Sequence, residues 1–156
     1  MVPLMIETMA KKLEEAALLP AKIVKSQVFG KQFHTICSGG AYLDPGYIDL
    51  FKKYDIVIQQ GYGMTECAPV ISVNQSWNIR SDSVGQLLPN CEAKTVEGEL
   101  WVKGSSVMQG YYKMPEETAE TLEDGWLKTG DLGYVDEEGF VYLTGRKKNL
   151  IITKNG

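Results

Sequence analysis

The hydrophobic and polar positions at the start of the chain follow a helical period. After Pro3, which suits the first turn of a helix, Met5, Met9 and Leu13 recur at helical spacing with charged residues between them. This pattern predicts an amphipathic helix that ends near Pro20. Residues 21–29 show no decisive period, so their secondary structure is left open.

A strand, a helix and a second strand are predicted next. The apolar run at residues 33–37 is typical of a buried strand. Asp44 then offers a helix cap, Pro45 suits the first helical position, and apolar residues up to Tyr54 mark one helical face. A β-branched run at residues 56–58 predicts a short second strand. The length and order of these elements indicate a βαβ unit.

Glycines follow both predicted strands. Gly39 and Gly40 come after the first, and Gly61 and Gly63 come after the second. In open α/β sheets the carboxyl ends of the strands carry the ligand-binding loops. We therefore expect a ligand site where the two glycine-rich segments meet.

From about residue 84 the pattern changes to short alternating strands that are broken by glycine. Residues 93–103 read as a hairpin that turns at Glu97 and Gly98, and residues 134–142 read as a second hairpin with Gly139 at its turn. A helix is predicted over residues 115–122. The predicted fold class is thus α/β followed by antiparallel β.

Composition and charge narrow the range of partners. The 156 residues are 44% hydrophobic and carry a formal net charge of -4, which suits one globular domain and makes nucleic acid an unlikely partner. Cys37, Cys67 and Cys91 are an odd number at wide spacings, so we expect reduced thiols in a cytoplasmic protein. Charged residues interrupt the apolar start of the chain, and no transmembrane segment of about 20 apolar residues is predicted.

The segment from Gly61 to Glu66 combines groups that nucleotide binding requires. Tyr62 offers a ring that can stack on a purine, Thr65 a hydroxyl for a phosphate oxygen, and Glu66 a hard oxygen for magnesium. A plain junction between a strand and a turn, with a core tyrosine and a surface glutamate, explains the same residues. The spacing by itself does not decide between the two interpretations.

Ordered motifs over residues 35–156 resemble the adenylate-forming superfamily, which includes acyl-CoA synthetases, peptide-synthetase adenylation domains and luciferases. The matching segments are SGGA at 38–41, QGYGMTE at 60–66, GELWVKG at 98–104, GYY at 110–112, GWLKTGD at 125–131 and LTGRKK at 143–148. The resemblance implies an incomplete N-terminal domain of that fold. It would hold a partial α/β subdomain at 1–83, a small barrel-like β subdomain at 84–146, and a hinge with the start of a C-terminal domain at 147–156.

The resemblance also assigns roles to single residues. Gly39, Gly40 and Ala41 would border the adenine of ATP or AMP, and Tyr62 would stack on it. Thr65 would bind the α-phosphate, Glu66 would hold Mg²⁺, Asp131 would accept the ribose hydroxyls, and Arg146 would contact ribose and phosphate. Lys148 falls at the hinge about which the C-terminal domain rotates, although a surface lysine is the simpler interpretation. We expect Gly40, Tyr62, Thr65 and Glu66 to line one cleft.

Three further residues have weaker functional interpretations. Tyr142 aligns with an aromatic position near the nucleotide, yet strand alternation explains it equally well. His34 has no catalytic partner at a recognisable spacing, so a structural role is favoured. Cys67 lies where the superfamily begins to line its acyl tunnel, but a small buried residue is the ordinary choice there.

The implied parent enzyme is an ATP-dependent ligase that forms an acyl-adenylate and then an acyl-CoA. Residues 66–74 look most like long-chain fatty acid–CoA ligases. A non-catalytic nucleotide-binding module and a piece of a peptide-synthetase adenylation domain are the alternatives. The superfamily's phosphate loop and C-terminal lysine do not occur in these 156 residues, so we expect the isolated chain to be inactive. Exposed apolar surface would favour its self-association.

Overall fold

Two β-sheets and four α-helices make up the part of the chain that the computed structural model describes, residues 3–147. The helices are α1 (Pro3–Glu15), α2 (Ala21–Val28), α3 (Pro45–Lys52) and α4 (Pro115–Thr121). The strands are β1 (Thr35–Ser38), β2 (Val57–Gly63), β3 (Val70–Val73), β4 (Gln86–Leu87), β5 (Cys91–Val96), β6 (Glu99–Gly104), β7 (Leu122–Glu123), β8 (Trp126–Val135) and β9 (Val141–Arg146). A single 3₁₀ turn spans Thr65–Cys67 within this described part.

The first sheet has the order β1-β2-β3-β4, and it contains the predicted βαβ unit. Strands β1 and β2 are parallel, with Thr35 opposite Val57, and α3 connects them. Strands β2, β3 and β4 then pair antiparallel. The prediction of an α/β unit followed by antiparallel β is confirmed.

Strand β2 is longer than its sequence pattern predicted. Its side chains alternate between buried and partly buried positions as far as Gly63, and β3 pairs with its last three residues. Gly61 and Gly63 therefore lie within the strand, so the prediction that they form a loop was wrong. Gly39 and Gly40 do follow β1 as expected.

Glycine at position 63 is required by a close approach of the backbone. A Cβ atom there would lie 1.8 Å from the carbonyl oxygen of Pro69. Strand pairing tolerates such closeness only where no side chain intervenes. The glycine is thus explained by the sharp return of the chain from β2 into β3.

Helices α1, α2 and α3 pack around the first core, which also receives the buried side chains of β1 and β2. The cap of α3 is as predicted, since Asp44 Oδ1 accepts a hydrogen bond from the amide of Gly46 at 2.8 Å and Pro45 opens the helix. Residues 21–29, left open by the sequence, are mainly helical because Val24 faces this core. The hydroxyl of Tyr54 donates to the carbonyl of Leu13 at 3.1 Å and so fixes the end of α1.

The second sheet is antiparallel, with the order β5-β6-β8-β7, and β9 also pairs with β8. Strands β5 and β6 form the predicted hairpin. Its turn residues Glu97 and Gly98 have φ values of 51° and 82°, as a two-residue type I′ turn requires. The predicted hairpin at residues 134–142 is formed by β8 and β9, and Gly139 has a φ of 82°.

A third hairpin, between β7 and β8, was missed by the sequence analysis. It turns at Asp124 and Gly125, whose φ values are 51° and 79°. An Asp-Gly pair between apolar residues is a strong hairpin signal, and here it directly follows the segment predicted as a helix at residues 115–122. That helix is confirmed as α4.

The two sheets are joined where β4 meets the start of β9. The amide of Val84 donates to the carbonyl of Val141 at 3.0 Å, and the amide of Val141 donates to the carbonyl of Gly85 at 2.9 Å. This junction brings the ends of β1 and β2 close to β8 and β9. A second core forms there from apolar residues of both sheets, among them Ile71, Leu100 and Leu127.

No helix among residues 3–147 is long and apolar enough to span a lipid bilayer. Apolar side chains such as Leu18 and Ile23 are exposed on the α1–α2 side, and self-association through them stays a prediction. The proposed division at residue 84 also stays a prediction, and the predicted hinge residue Lys148 lies outside the described residues.

Candidate nucleotide site

A cavity of about 510 Å³ opens where the carboxyl end of β1 and strand β2 face strands β8 and β9. Five residues that the resemblance singled out line it: Gly40, Ala41, Tyr62, Asp131 and Arg146. They come from four separate segments of the chain. Its size suits a nucleotide-sized ligand, since small-molecule pockets are commonly about 300–1,000 Å³.

One wall of the cavity was not predicted. Residues 81–84 line it together with Gln60, whose side-chain amide donates to the carbonyl of Ser81 at 3.0 Å. Arg80, next to this wall, forms ion pairs with Asp136 and Glu138 of the β8–β9 turn. Ser83 in this wall is 1% exposed, which only the tertiary structure reveals.

Tyr62 lines the cavity and is 8% exposed. Its hydroxyl donates a hydrogen bond of 2.6 Å to Asp131 Oδ2. Burial, followed by this bond to a carboxylate, raises the pKa of Tyr62 well above its ordinary value. The phenol is therefore neutral at physiological pH and acts as a donor.

Asp131 is aimed into the cavity by a bulge in β8. Glu99 of β6 is opposite Leu132 and Trp101 is opposite Lys128, so three residues of β8 face one residue of β6. The Thr129 hydroxyl stabilises the bulge, since it donates to the carbonyl of Leu100 at 2.6 Å and accepts from the amide of Asp131 at 3.1 Å. Bulges of this kind redirect side chains next to binding sites.

Arg146 completes a chain of three polar side chains. Its Nε atom donates to Asp131 Oδ1 at 2.7 Å, and its side chain is 64% exposed. Among residues 3–147, each oxygen of Asp131 thus has one side-chain partner, Tyr62 for one oxygen and Arg146 for the other. An ionised carboxylate offers about four acceptor positions, which leaves capacity for two ligand hydroxyls.

Thr65 and Glu66 do not line this cavity, so the expectation that Gly40, Tyr62, Thr65 and Glu66 share one cleft holds for the first two residues only. Both lie in the 3₁₀ turn after β2, where Thr65 is exposed. This turn lies beyond the end of β2, where the chain reverses into β3, and so Thr65 and Glu66 are not on the part of β2 that lines the cavity. Gly39 is also absent from the lining, and a Cβ atom there would lie 3.0 Å from the carbonyl oxygen of Gly61.

The surroundings of Glu66 are compatible with a role in magnesium binding. Its Oε1 atom accepts a hydrogen bond of 2.8 Å from the hydroxyl of Tyr111, a contact that the sequence analysis did not predict. No group of three or more His, Cys, Asp or Glu side chains is arranged for a metal among residues 3–147. Magnesium often takes one carboxylate together with phosphate oxygens and water, so Glu66 can serve as such a ligand.

The three residues with weaker interpretations lie away from the cavity lining. His34 Nδ1 is 3.1 Å from the ammonium of Lys25, just before β1. Cys67 is fully buried in the second core, where burial raises the pKa of its thiol to about 11. The hydroxyl of Tyr142 accepts from Arg80 at 3.1 Å, and its ring stacks on that of Tyr134.

Comparison with known proteins decides the family. A family model described as AMP-binding enzyme matches residues 1–112. The chain belongs to the AMP-binding enzyme family. The match covers the βαβ unit, the glycine segments and the first hairpin of the second sheet.

Two curated relatives and one solved structure illustrate the similarity. The chain is 38% identical over 120 residues to the long-chain-fatty-acid–CoA ligase FadD15 of Mycobacterium bovis, which covers 76% of the chain and 20% of that protein. It is 43% identical over 136 residues to the probable 4-coumarate–CoA ligase 1 of Dictyostelium discoideum, with 77% and 25% covered. The O-succinylbenzoate coenzyme A synthetase MenE of Bacillus subtilis, solved with ATP and a magnesium ion, superposes with a TM-score of 0.80 at 27% identity, over 100% of the chain and 33% of MenE.

The chain therefore spans about a fifth to a quarter of the length of these curated relatives. The family and the fold are established by the match, and the residues of the cavity are its nucleotide-site candidates.

Proposed function

We propose that the chain forms part of the nucleotide site of an ATP-dependent acid–CoA ligase. The observation that carries this proposal is the contact of Tyr62, Asp131 and Arg146 in one cavity next to Gly40. These residues lie far apart in the sequence, and a merely structural network would not need to surround an open cavity of this size.

In this proposal each cavity residue contacts a different part of the nucleotide. The adenine lies between the Tyr62 ring and the backbone of Gly40 and Ala41. The ribose hydroxyls donate to Asp131, which lines the cavity and has acceptor capacity beyond its bonds to Tyr62 and Arg146. Arg146 holds Asp131 through Nε, so its two terminal nitrogens remain as donors for ribose and phosphate oxygens.

The phosphate end lies towards the turn that carries Thr65 and Glu66. The Thr65 hydroxyl donates to an oxygen of the α-phosphate, and Glu66 supplies a carboxylate oxygen to magnesium, with Tyr111 fixing the orientation of that carboxylate. When bound, magnesium neutralises the negative charge that the phosphates carry.

The reaction needs positioning rather than a protein nucleophile. A carboxylate oxygen of the acid attacks the α-phosphorus of ATP, the bond to pyrophosphate breaks, and an acyl-adenylate forms. The thiolate of coenzyme A then attacks the acyl carbon, and AMP leaves with the bonding electrons. In this scheme Lys148 remains the proposed hinge for the change between the two half-reactions.

The proposed acid is a long-chain fatty acid. The similarity of residues 66–74 to that branch and the 38% identity to the Mycobacterium bovis ligase support it. The Dictyostelium relative, named as a 4-coumarate–CoA ligase, favours an aromatic acid instead. Acid-dependent exchange of pyrophosphate into ATP, measured with palmitate and with 4-coumarate on a protein that contains this chain and spans the full length of the curated relatives, decides between them.

Nucleotide binding can be tested on the 156-residue chain itself. We expect AMP to bind weakly, with a Kd on the order of 1 mM, and to shift NMR signals of residues around the cavity. Asp131→Asn should weaken binding about tenfold, because the amide loses the charge and one acceptor. The control Asp124→Asn, in the exposed β7–β8 turn, should leave the affinity unchanged. Absence of AMP binding to the unaltered chain would contradict the proposal.

A further inference from the structure

A buried carboxylate lies directly behind the Asp131–Arg146 pair. Glu99, the first residue of β6, is 4% exposed and does not line the cavity. Burial of a carboxylate is costly unless strong hydrogen bonds compensate. Within the described part of the chain Glu99 receives two such bonds, and both come from the segments that carry Asp131 and Arg146.

The first bond fixes the bulge that presents Asp131. Glu99 Oε1 accepts a hydrogen bond of 2.9 Å from the amide of Gly130, which has a φ of 71°. The bulge withdraws this amide from the regular pairing of β6 with β8. The Glu99 side chain thus takes the place of a backbone carbonyl as the acceptor for this amide, one residue before Asp131.

The second bond fixes the strand that presents Arg146. Glu99 Oε2 accepts from Lys147 Nζ at 2.8 Å, and Lys147 directly follows Arg146 at the end of β9. Arg146 and Asp131 are opposite each other in the β8–β9 pairing. One carboxylate therefore links the backbone next to Asp131 with the residue next to Arg146.

The ionisation of Glu99 is consistent with this arrangement. Burial raises the pKa of its carboxyl, but the hydrogen bonds from Lys147 and Gly130, together with smaller effects that include the charge of Lys147, leave that pKa below the ordinary value. Glu99 in turn raises the pKa of Lys147. Both groups are charged at neutral pH, as a lasting ion pair requires.

We propose that Glu99 is a positioning residue that holds Asp131 and Arg146 in the geometry that binds the ribose of the nucleotide. This inference rests on the proposed nucleotide site and goes beyond it, because Glu99 lies outside the cavity lining. It acts through the Gly130 amide on one strand and through Lys147 on the other.

The test compares AMP with 2′,3′-dideoxyadenosine monophosphate, which lacks both ribose hydroxyls, on the 156-residue chain. Glu99→Ala should weaken AMP binding about tenfold and binding of the dideoxy analogue less than about twofold. The matched control Glu92→Ala, on the exposed face of β5, should change neither affinity. An equal loss for both ligands, or no loss for either, would overturn the proposal, since a general structural role does not distinguish the two.

Two milder variants and a second measurement provide a test that does not depend on whether the alanine variant folds. Glu99→Gln keeps an acceptor for the Gly130 amide but loses the ion pair, and Lys147→Gln removes the outer partner. Both should speed hydrogen exchange at Arg146 Nε at least threefold, as measured by NMR, while Glu92→Gln should not. Unchanged exchange in both would refute the positioning role. If the unaltered chain fails to bind AMP, the proposed function fails, and the exchange rates still decide the role of Glu99.

Discussion

The hydroxyl of Tyr62 gives a quantitative test of how the cavity is held together. Tyr62→Phe removes one oxygen and keeps the ring, so it opens no sizeable space in the second core. What is lost is the 2.6 Å hydrogen bond to Asp131 Oδ2. Asp131 keeps its hydrogen bond to Arg146, so its carboxylate loses one of two side-chain partners and retains the other.

The expected loss of stability follows from the charge and burial of this bond. Hydrogen bonds to ionised groups contribute about 1.5–3 kcal/mol, against about 1 kcal/mol for neutral pairs. Because Tyr62 and Asp131 are 8% and 5% exposed, solvent screens the bond little. We therefore expect the free energy of unfolding to fall by about 1.5–3 kcal/mol and Tm by roughly 3–12 °C.

The effect should depend on pH in a defined direction. Burial and the bond to Asp131 raise the pKa of Tyr62 in the folded chain, whereas the unfolded value is near 10. A raised pKa in the folded state gives stability that is fully present below the unfolded value and is lost as pH rises above it. The gap between the original chain and Tyr62→Phe should be full at pH 7 and shrink above about pH 10.

Urea unfolding followed by tryptophan fluorescence measures this gap at each pH. Tyr112→Phe is the matched control, because Tyr112 is 85% exposed and its ring lies next to the ammonium of Lys113, a contact that phenylalanine keeps. It should change stability by less than about 0.5 kcal/mol. Equal stability of Tyr62→Phe and the original chain at pH 7, or a gap that widens with pH, would refute the reasoning.

Three further predictions concern single side chains. Cys67, whose pKa burial raises to about 11, should react with iodoacetamide at pH 8 at least a hundredfold more slowly than the exposed Cys37, as followed by mass spectrometry. Gly63→Ala should destabilise the fold by more than about 3 kcal/mol, because the new methyl would meet a carbonyl oxygen at 1.8 Å, whereas Gly145→Ala, with its nearest atom at 3.9 Å, should change stability by under about 1 kcal/mol. The pKa of Glu99 is lower in the folded chain than the ordinary glutamate pKa near 4.3, so its ionised form stabilises the fold above that pH. This stabilisation is lost as the pH falls through the pKa of the folded chain. Glu99→Gln should therefore make the free energy of unfolding less dependent on pH in the acid range.

Each of these has a contrary result that is easy to recognise. Equal alkylation rates for Cys67 and Cys37 in the folded chain would mean that the second core opens readily. A Gly63→Ala chain with ordinary urea resistance would contradict the close approach of the backbone between β2 and β3. An acid limb that stays equally steep in Glu99→Gln would assign the loss of stability to other carboxyl groups.

Local patterns in the sequence were sufficient for several elements. The cap formed by Asp44 and Pro45 and the turn at Glu97 and Gly98 depend on residues within a few positions of each other, and the structure has them as predicted. The same locality explains the error at β2. Glycine signals a turn in sequence, but Gly61 and Gly63 are held in the strand by pairing with β3, which local preference does not include.

The nucleotide-site candidates were named from the sequence because their motifs resemble a family, not because chemistry alone required them. The sequence determined which side chains are present, such as the ring of Tyr62 and the carboxylate of Asp131. Tertiary structure decided that these two bond to each other, that Thr65 lies outside the cavity, and that Glu99 lies behind the site. The physical reason is that these contacts join residues dozens of positions apart, and they arise from the pairing of β8 with β6 and β9 and from the bulge in β8. Neither the register of that pairing nor the bulge can be read from the sequence of one strand alone.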